Sequence, residues 1–424
     1  MNIFLDTVGC RLNQAEIEQY ARQFRAAGHL LVARADQADL VVINTCTVTA
    51  AAASDSRQKV RQASRKGARQ IVLTGCWSTL KPDEAVALPG VSRVINNQQK
   101  DKLVQEILEI QTELFDQEPL ERQPIPGTRT RTRAFIKAQD GCDNRCTFCI
   151  TTLARGEGRS RPIQEILADI QATNPAQEIV LTGVHLGSWG QDLSPQLPLR
   201  HLVEQVLERT GAARLRLSSL EPWDLDEQFF ELWGDPRLCR QLHLPLQSGC
   251  ERTLRRMARK TTPEAFAELV QAARQAIPGV AITTDIITGF PGEDEQEFEE
   301  SLAFVQEMQF ADGHVFTYSA RSGTAAARMP GQIPQPTRKQ RNARMREVLA
   351  ESALTYQTSF LGQTLPVLWE SAASLGPQGW EFTGLTGNYL RVFAHSQQQL
   401  WNQVTPVVLE KLDERGFHGR ILGA

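Results

Sequence analysis

The sequence predicts an α/β chain in three parts: a parallel-sheet domain first, a partial (β/α) barrel next, and a small β-barrel at the carboxyl end. Strand-like stretches alternate with helix-like stretches in two regions, one before residue 120 and one after residue 133. Beyond residue 360 the pattern changes to short strand-like stretches between Gly, Asn and Pro turns. The chain has 424 residues, which is too long for one compact core.

The composition is typical of a globular protein without membrane spans. Hydrophobic residues make up 41% of the chain and charged residues 22%, and no apolar run reaches the roughly 18 residues that a spanning helix needs. The first residues do not resemble a secretory signal. We therefore expect a cytoplasmic location, where cysteines are more often metal ligands, catalytic groups or buried apolar residues than disulfides. The net charge of −3 gives no overall preference for nucleic acid.

Residues 1–120 are predicted to form the first domain. The apolar runs NIFLDTVG, ADLVVINT and RQIVLTG alternate with helix-like stretches such as QAEIEQYARQFRAAG and ASDSRQKVRQASRKG, as in a parallel sheet. The stretch that follows is rich in proline and charge and has no periodicity. It predicts a linker over residues 121–133, which ends in alternating Arg129, Arg131 and Arg133.

Residues 134–355 are predicted to form the partial barrel. The strand candidates are AFIKAQ, QEIVLTG, ARLRLSS, CRQLHLPLQ, VAITTDIITG and GHVFTYS. Amphipathic segments such as PIQEILADIQAT, LRHLVEQVLERT, PEAFAELVQAARQA and DEQEFEESLAFVQEM separate them. Six such units are too few for an eight-unit barrel. After the basic, helix-like TRKQRNARMREVLAE, residues 360–424 are predicted to form the small β-barrel.

Three cysteines of one loop, Cys142, Cys146 and Cys149, are spaced as metal ligands. A structural zinc site closes with a fourth Cys or His, and the next histidine along the chain is His185. A cluster held by three cysteines leaves one iron open for another ligand. We therefore predict an iron–sulfur cluster whose open position serves substrate binding; zinc and three unrelated buried cysteines are the alternatives.

A second set of three cysteines follows the strands of the first domain. Cys10, Cys46 and Cys76 each come directly after a predicted strand segment. The carboxyl ends of parallel strands meet at one edge of a sheet, so the three thiols are expected to converge on one cofactor. Any one of them alone would be read as a buried thiol. Cys239 and Cys250 lack such a pattern and are predicted to be packing residues.

Loops with glycines and polar residues follow nearly every predicted barrel strand. They are TGVHLGSWG, SSLEPWD, PLQSGCE, DIITGFPGEDE and TYSARSGT. Active sites of (β/α) barrels form at the carboxyl ends of the strands, and glycine allows close approach of the backbone to a ligand. These loops are therefore candidates for a binding site.

Together these residues resemble the radical S-adenosylmethionine methylthiotransferase family over nearly the whole chain. The likeness rests on the Cys-x3-Cys-x-aromatic-Cys motif with Phe148, on the second cysteine set, and on ARGEGRSR, PLQSG and TGFPGE. The resemblance implies a flavodoxin-like first domain with one [4Fe–4S] cluster and a partial barrel of the radical SAM type with another. It implies a C-terminal TRAM domain that engages RNA.

The stretches IVLTGVHLGSWG and RLRLSSLEPWDLD resemble the branch that converts N6-threonylcarbamoyladenosine next to the tRNA anticodon to its 2-methylthio derivative. The resemblance implies radical chemistry with S-adenosylmethionine, the tRNA anticodon stem-loop as substrate, a reductant such as flavodoxin or ferredoxin, and a sulfur donor. Its implied ligands are the six cysteines, and no other catalytic residue is assigned. The candidates for cofactor binding are Phe148, Gly183, His185, Ser218, Glu221 and Gln247.

Two other functions stay open at this point. One is a methylthiotransferase that acts on prenylated adenosine in tRNA or on a ribosomal protein aspartate; the other is a non-catalytic iron–sulfur protein that binds RNA. Basic runs favour RNA, although each can also be a solvated helix face or linker. The runs are the three linker arginines and the set Arg338, Lys339, Arg341, Arg344 and Arg346.

Overall fold

A computed structural model describes residues 1–110, 123, 125–126, 132–173, 176–377 and 379–423. Most of the predicted linker, including Arg129 and Arg131, lies outside these ranges. The same holds for residues 111–120, which were predicted to end the first domain.

The first domain is a five-stranded parallel sheet. Its strands are β1 (Asn2–Thr7), β2 (Leu30–Leu31), β3 (Leu40–Thr45), β4 (Ile71–Gly75) and β5 (Val91–Val94), and its helices are α1 (Arg11–Ala26), α2 (Ala50–Arg65), α3 (Cys76–Leu80), α4 (Pro82–Val86) and α5 (Leu103–Leu108). The strand order is β2-β1-β3-β4-β5, with every pair parallel. This is the flavodoxin-like order, which confirms the prediction.

The central strand β3 is buried along its whole length. Val42 packs in the core on the side of α1, whereas Val41 and Ile43 pack on the side of α2. Successive side chains of a strand point to opposite faces, so a strand covered on both faces reads as a continuous apolar run. Cys46 directly follows β3, so it lies at the carboxyl edge of the sheet.

The second part is an open barrel of six main strands. They are β6 (Arg133–Lys137), β9 (Glu178–Thr182), β10 (Arg214–Leu217), β11 (Gln241–His243), β12 (Ala281–Thr288) and β13 (Asp312–Thr317). Parallel pairing gives the orders β10-β9-β6 and β11-β12-β13, and the parallel bridges Leu215–Leu238 and Ser219–His243 join the two sheets. All six strand predictions are confirmed. The short strands β7 (Gln139–Asp140) and β8 (Arg159–Ser160) pair antiparallel and close the base of the cysteine loop.

The described residues of this part form eight α-helices. They are α6 (Thr151–Arg155), α7 (Ile163–Gln171), α8 (Leu199–Arg209), α9 (Glu227–Phe230), α10 (Glu251–Arg256), α11 (Pro263–Ala276), α12 (Glu295–Met308) and α13 (Gln335–Thr358). The Thr262 hydroxyl accepts a hydrogen bond from the Ala265 amide at 3.2 Å, and the Asp294 carboxylate accepts one from the Glu297 amide at 2.8 Å. These side chains cap α11 and α12 and define where both helices begin.

The third part is a closed five-stranded barrel. Its strands β14 (Thr364–Gly376), β15 (Gly379–Thr386), β16 (Arg391–Ser396), β17 (Val404–Asp413) and β18 (Gly416–Ile421) close in the order β14-β15-β16-β18-β17. Trp369, Phe382 and Phe417 lie in its core. The loop between β15 and β16 contacts the first strands of the open barrel, where Arg216 Nη1 donates to the Gly387 carbonyl at 3.1 Å. Within the described residues, no helix is long and apolar enough to cross a membrane.

Candidate functional site

The three cysteines of the first domain form one group, here called the sheet-edge triad. Cys10 directly precedes α1, Cys46 follows β3, and Cys76 is the first residue of α3. Gly9 shows how closely these loops approach, because a Cβ atom there would lie 2.4 Å from Cys46 Sγ. Its φ of +100° also requires glycine. The structure thus brings the predicted residues together.

Burial, with smaller contributions from the nearby thiols of Cys10 and Cys76, raises the pKa of Cys46 to about 11. Such a thiol is protonated at neutral pH when no metal is present. A coordinated metal ion deprotonates a thiol that it binds. The triad, in which Cys46 and Cys76 are buried, therefore suits a metal cofactor better than it suits a free nucleophile.

Cys142, Cys146 and Cys149 form the second group, here called the loop triad, between β7 and β8. The Cys149 amide donates to the Cys146 carbonyl at 3.0 Å, and the Asn144 amide donates to Cys142 Sγ at 3.4 Å. The Thr147 hydroxyl donates to a carbonyl of α10 at 2.8 Å, which ties the loop to the barrel wall. All three thiols are partly exposed and can reach a cofactor.

The spacing of these thiols bears on the zinc alternative. A zinc ion with tetrahedral thiolate ligands holds their sulfurs within about 4 Å of one another. Among the described residues, no group of three Cys, His, Asp or Glu side chains could hold one metal ion. Each triad supplies three thiolates, so both triads match an iron–sulfur cluster by their residue type and number.

The structure brings His185 beside the loop triad, although it is far from Cys142 along the chain. Its Nε2 lies 2.5 Å from Asp224 Oδ2, and its Nδ1 lies 3.3 Å from Asn144 Nδ2. Burial alone would lower the pKa of His185, but hydrogen bonds with Asp224 and Cys142 outweigh it and raise the pKa to about 10. The long sequence separation between His185 and the cysteines therefore did not indicate that they lie close together in space.

The other predicted binding residues lie at the carboxyl ends of the barrel strands or in the cysteine loop. Phe148 packs edge-on to Phe290, with ring centroids 6.5 Å apart. Gly183 lies against Gln139, because a Cβ atom at Gly183 would be 2.9 Å from Gln139 Oε1. The Ser218 hydroxyl is buried and has no hydrogen-bond partner among the described residues.

Glu221 follows β10 and Gln247 follows β11. Glu221 is not free, because Arg259 Nη2 donates to its Oε2 at 2.7 Å. The Arg259 guanidinium also lies 4.5 Å from the centroid of the Trp223 ring, and its Nη1 lies 3.9 Å from Cys146 Sγ. Gln247 has a φ of +77° and its amide donates to the Asp285 carbonyl at 2.8 Å. Arg259 and Trp223 had not been singled out from the sequence.

A short helix joins the two triads. Helix α6 begins two residues after Cys149, and its five residues span about 8 Å. It ends at Arg155, whose Nε donates to Cys76 Sγ at 3.3 Å. Asn97 also contacts both sides, because its Nδ2 donates to the Ala154 carbonyl at 2.8 Å and lies 3.6 Å from Cys76 Sγ. The two triads therefore lie at opposite ends of one helix.

The basic run of α13 is largely engaged in contacts within the chain. Arg341 and Arg344 pair with carboxylates at or just before the start of α12. Arg338 donates to the Tyr318 carbonyl. Lys339 and Arg346 are exposed and make no ion pair with another described residue. Only part of the predicted basic run is thus available to an anionic partner.

Comparison with solved structures identifies the fold. The radical S-adenosylmethionine methyltransferase TsrM from Kitasatospora setae, solved with cobalamin and a [4Fe–4S] cluster, matches with a TM-score of 0.58 at 14% identity, covering 77% of each chain. The cobalamin-dependent S-adenosylmethionine radical enzyme OxsB matches with a TM-score of 0.51 at 12% identity, covering 82% of this chain and 56% of that one. Similarity at this identity concerns the fold alone.

Sequence comparison identifies the family. The Radical SAM superfamily matches residues 136–305, and the uncharacterized protein family UPF0004 matches residues 2–97. The threonylcarbamoyladenosine tRNA methylthiotransferase MtaB of Bacillus subtilis (strain 168) is 35% identical, covering 96% of this chain and 93% of the relative. The enzyme of the same name from Thermotoga maritima is 35% identical over 86% of each chain. The tRNA-2-methylthio-N(6)-dimethylallyladenosine synthase of Caldicellulosiruptor saccharolyticus is 34% identical, covering 85% of this chain and 80% of the relative. The chain belongs to the radical SAM methylthiotransferase family.

Proposed function

We propose that this protein is a tRNA methylthiotransferase that converts N6-threonylcarbamoyladenosine next to the anticodon to its 2-methylthio derivative. The observation that carries the proposal is the pair of cysteine triads at the two ends of α6. Several relatives at 33–35% identity bear the threonylcarbamoyladenosine name. Two [4Fe–4S] clusters and S-adenosylmethionine are the cofactors of this reaction.

The proposal assigns one cluster to each triad. The sheet-edge triad would hold the cluster that binds the sulfur to be transferred. The loop triad would hold the cluster that binds S-adenosylmethionine. Each triad supplies three thiolates, which leaves one iron of a four-iron cluster without a cysteine. Bound at the loop triad, the cluster and S-adenosylmethionine would supply the radical chemistry that acts on the adenine ring.

The residues around the loop triad have separate roles in this proposal. Phe148 offers an aromatic face to the adenine of the cofactor. Gly183 lets the backbone approach the ligand, and the unpartnered Ser218 hydroxyl offers a hydrogen bond. His185 is held between Asp224 and the cysteine loop, Glu221 positions Arg259 near Cys146, and Gln247 offers a side-chain amide. These side chains bind and orient the cofactor.

The C-terminal barrel is proposed to be a TRAM-like domain that helps to bind the tRNA anticodon stem-loop. Support comes from its closed five-stranded architecture and from its docking on the open barrel through the β15–β16 loop. The exposed Lys339 and Arg346 offer cations to the phosphate backbone. The reaction also needs a reductant, such as flavodoxin or ferredoxin, and a sulfur donor.

The test is mass spectrometry of nucleosides from digested tRNA. Reconstituted protein, S-adenosylmethionine, a reductant and a sulfur source are incubated anaerobically with tRNA that bears threonylcarbamoyladenosine. The expected product is the methylthio derivative, and a parallel reaction with prenylated tRNA is expected to give none. Product from the prenylated tRNA alone would assign the protein to the branch named for dimethylallyladenosine. If neither tRNA changes while 5′-deoxyadenosine accumulates, the tRNA assignment is wrong and the ribosomal protein becomes the substrate to test.

A further inference from the structure

The carboxyl end of α6 places a buried cation against the sheet-edge triad. The Arg155 side chain is 1% exposed. Besides its hydrogen bond to Cys76, its Nη2 donates to Asn13 Oδ1 at 2.7 Å, and Asn13 lies 3.6 Å from Cys10 Sγ. Asn13 also donates to the carbonyl of Thr45, the residue before Cys46, at 3.2 Å. Arg155 and Asn13 thus contact Cys76, Cys10 and the residue before Cys46.

Two buried carboxylates hold the guanidinium in this position. Arg155 Nη1 lies 3.0 Å from Glu16 Oε1 and 2.8 Å from Asp140 Oδ1. Burial alone would raise the pKa of Glu16, but the charges of Lys100 and Arg155 outweigh it and lower the pKa to about 2. Nη1, Nη2 and Nε of Arg155 therefore all donate hydrogen bonds, and these bonds fix the orientation of the guanidinium group.

The buried group around Arg155 carries an excess of positive charge. Lys100 Nζ lies 2.6 Å from both Glu16 and Asp140, and Lys137 Nζ lies 3.1 Å from Asp140. Three buried cations therefore face two buried carboxylates. A third carboxylate, Asp101, pairs with Lys137 but is half exposed and screened by water. The excess positive charge lies beside Cys76, where thiolate ligands would carry negative charge.

We propose that Arg155 is a positioning residue for the cluster of the sheet-edge triad: it donates a hydrogen bond to Cys76 and its charge sets the reduction potential of that cluster. The inference rests on the proposed assignment of a cluster to this triad. Hydrogen bonds to ligand sulfurs and nearby charge are two of the factors that tune iron–sulfur potentials. Because α6 begins beside Cys149, the same arginine also ties the geometry of one triad to that of the other.

The test isolates this cluster in a full-length chain that carries Cys142→Ala, Cys146→Ala and Cys149→Ala. After anaerobic reconstitution, iron content and the midpoint potential from an EPR-monitored titration are measured. Arg155→Met removes a positive charge and a hydrogen bond, so the potential is expected to become more negative. Glu16→Gln removes a negative charge with almost no change in shape, so the potential is expected to become more positive. A purely structural role would not give opposite signs.

Two further variants make the result specific. Arg155→Lys keeps the charge but loses the fork, and its potential is expected to fall between those of the parent and Arg155→Met. Arg161→Met removes an arginine that pairs with Asp169 and contacts no cysteine, and it is expected to leave the potential nearly unchanged.

The outcomes separate this inference from the proposed function. If the parent chain binds no iron, the cluster assignment and the inference both fail. If the parent binds iron and Arg155→Met has the same iron content and potential, the inference alone is wrong. Circular dichroism reports whether Arg155→Met folds. If it does not fold, the potentials of Glu16→Gln and Arg155→Lys test the inference instead. A potential for Glu16→Gln that is unchanged or more negative overturns the inference.

Discussion

Cys46 and Cys146 are both cysteines with a pKa raised to about 11 by burial, yet they belong to different triads. Their surroundings differ: Cys46 lies among other thiols, whereas Cys146 lies near Arg259, whose charge opposes the rise. Because the two cysteines belong to different triads, their substitution is expected to cause two distinct losses of activity.

Cys46→Ala is expected to abolish methylthiolation while 5′-deoxyadenosine formation stays measurable, because only the loop triad is needed to generate the radical. Cys146→Ala is expected to abolish both. Liquid chromatography of the reaction quantifies 5′-deoxyadenosine, and nucleoside mass spectrometry quantifies the product. Cys239→Ala, at a buried cysteine outside both triads, is the control and is expected to retain both activities. Loss of both activities in a folded Cys46→Ala protein that keeps its loop-triad cluster would contradict this division of roles.

Glu178 illustrates a second effect at the residue scale, a buried ion pair that makes stability depend on pH. Its carboxylate accepts from Arg216 Nε at 2.7 Å and lies 3.1 Å from Arg214 Nη2. Burial alone would raise the pKa of Glu178, but the two arginines outweigh it and lower the pKa from 4.5 to about 2. The carboxylate thus favours the folded state above pH 4.5, and that contribution is lost as pH falls from 4.5 towards 2.

Glu178→Gln is expected to lower the free energy of unfolding at pH 7 by about 3 to 5 kcal/mol, because it leaves buried arginines without their partner. The gap between wild type and variant is expected to narrow by about 2 kcal/mol at pH 3, because the carboxyl group binds a proton there in the unfolded state but not in the folded state. Urea unfolding of both proteins between pH 7 and pH 3 measures the gap. A gap that does not change with pH would show that Glu178 is not the titrating group.

At the element scale, the loop between β15 and β16 joins three parts of the chain. The Tyr389 hydroxyl accepts from Arg11 Nη2 and from Arg133 Nη1, each at 3.1 Å. The guanidinium of Arg216 lies 4.7 Å from the centroid of the Tyr389 ring. Arg11 belongs to α1, whereas Arg133 and Arg216 belong to barrel strands. One phenol therefore holds the C-terminal barrel against both other parts.

Tyr389→Phe keeps the ring but removes the acceptor for two charged donors, so docking of the loop is expected to weaken by about 1.5 to 3 kcal/mol. Hydrogen–deuterium exchange of residues 385–391 and 133–137 measures the effect as faster exchange. Tyr20→Phe is the control, because the Tyr20 hydroxyl is buried without a hydrogen-bond partner in the described part of the chain. It is expected not to speed exchange in either segment; equal effects of the two variants would contradict the role of Tyr389.

For the binding of tRNA by the whole molecule, the distribution of charge matters more than the net charge. The chain has a net charge of −3, and α13 contributes exposed cations only at some positions of its basic run. Arg344 faces Glu299 at 2.6 Å, whereas Lys339 and Arg346 are exposed with no ion pair to another described residue. Only the latter two can neutralise phosphates without breaking an internal pair.

Lys339→Gln and Arg346→Gln are each expected to weaken binding of tRNA and to lower the slope of log K against log salt concentration by about 1. Arg344→Gln removes the same type of charge from the same helix and is expected to change neither quantity appreciably. Anaerobic fluorescence anisotropy with labelled tRNA between 50 and 200 mM salt, the range in which such contacts differ most, measures both. Equal slopes for all three variants and the wild type would exclude this helix as an RNA contact.

The order of strands and helices, the three-part architecture and the grouping of the cysteines into two sets were predictable from the sequence. These features follow from local information: period-2 and period-3.6 patterns, turn residues, and thiols directly after strands. The rule that parallel strands end at one sheet edge also predicted that Cys10, Cys46 and Cys76 lie close together.

The side chains that surround those thiols, in contrast, depend on how the elements pack. Arg155, Asn13 and Glu16 meet because a helix of the barrel packs against the first domain, and His185 reaches Cys142 across the barrel rim. The ion pairs of α13 likewise depend on the neighbouring helix. Each of these contacts joins residues far apart in the chain, and no local pattern encodes them because long-range pairing is set by how elements pack, not by their own periodicity.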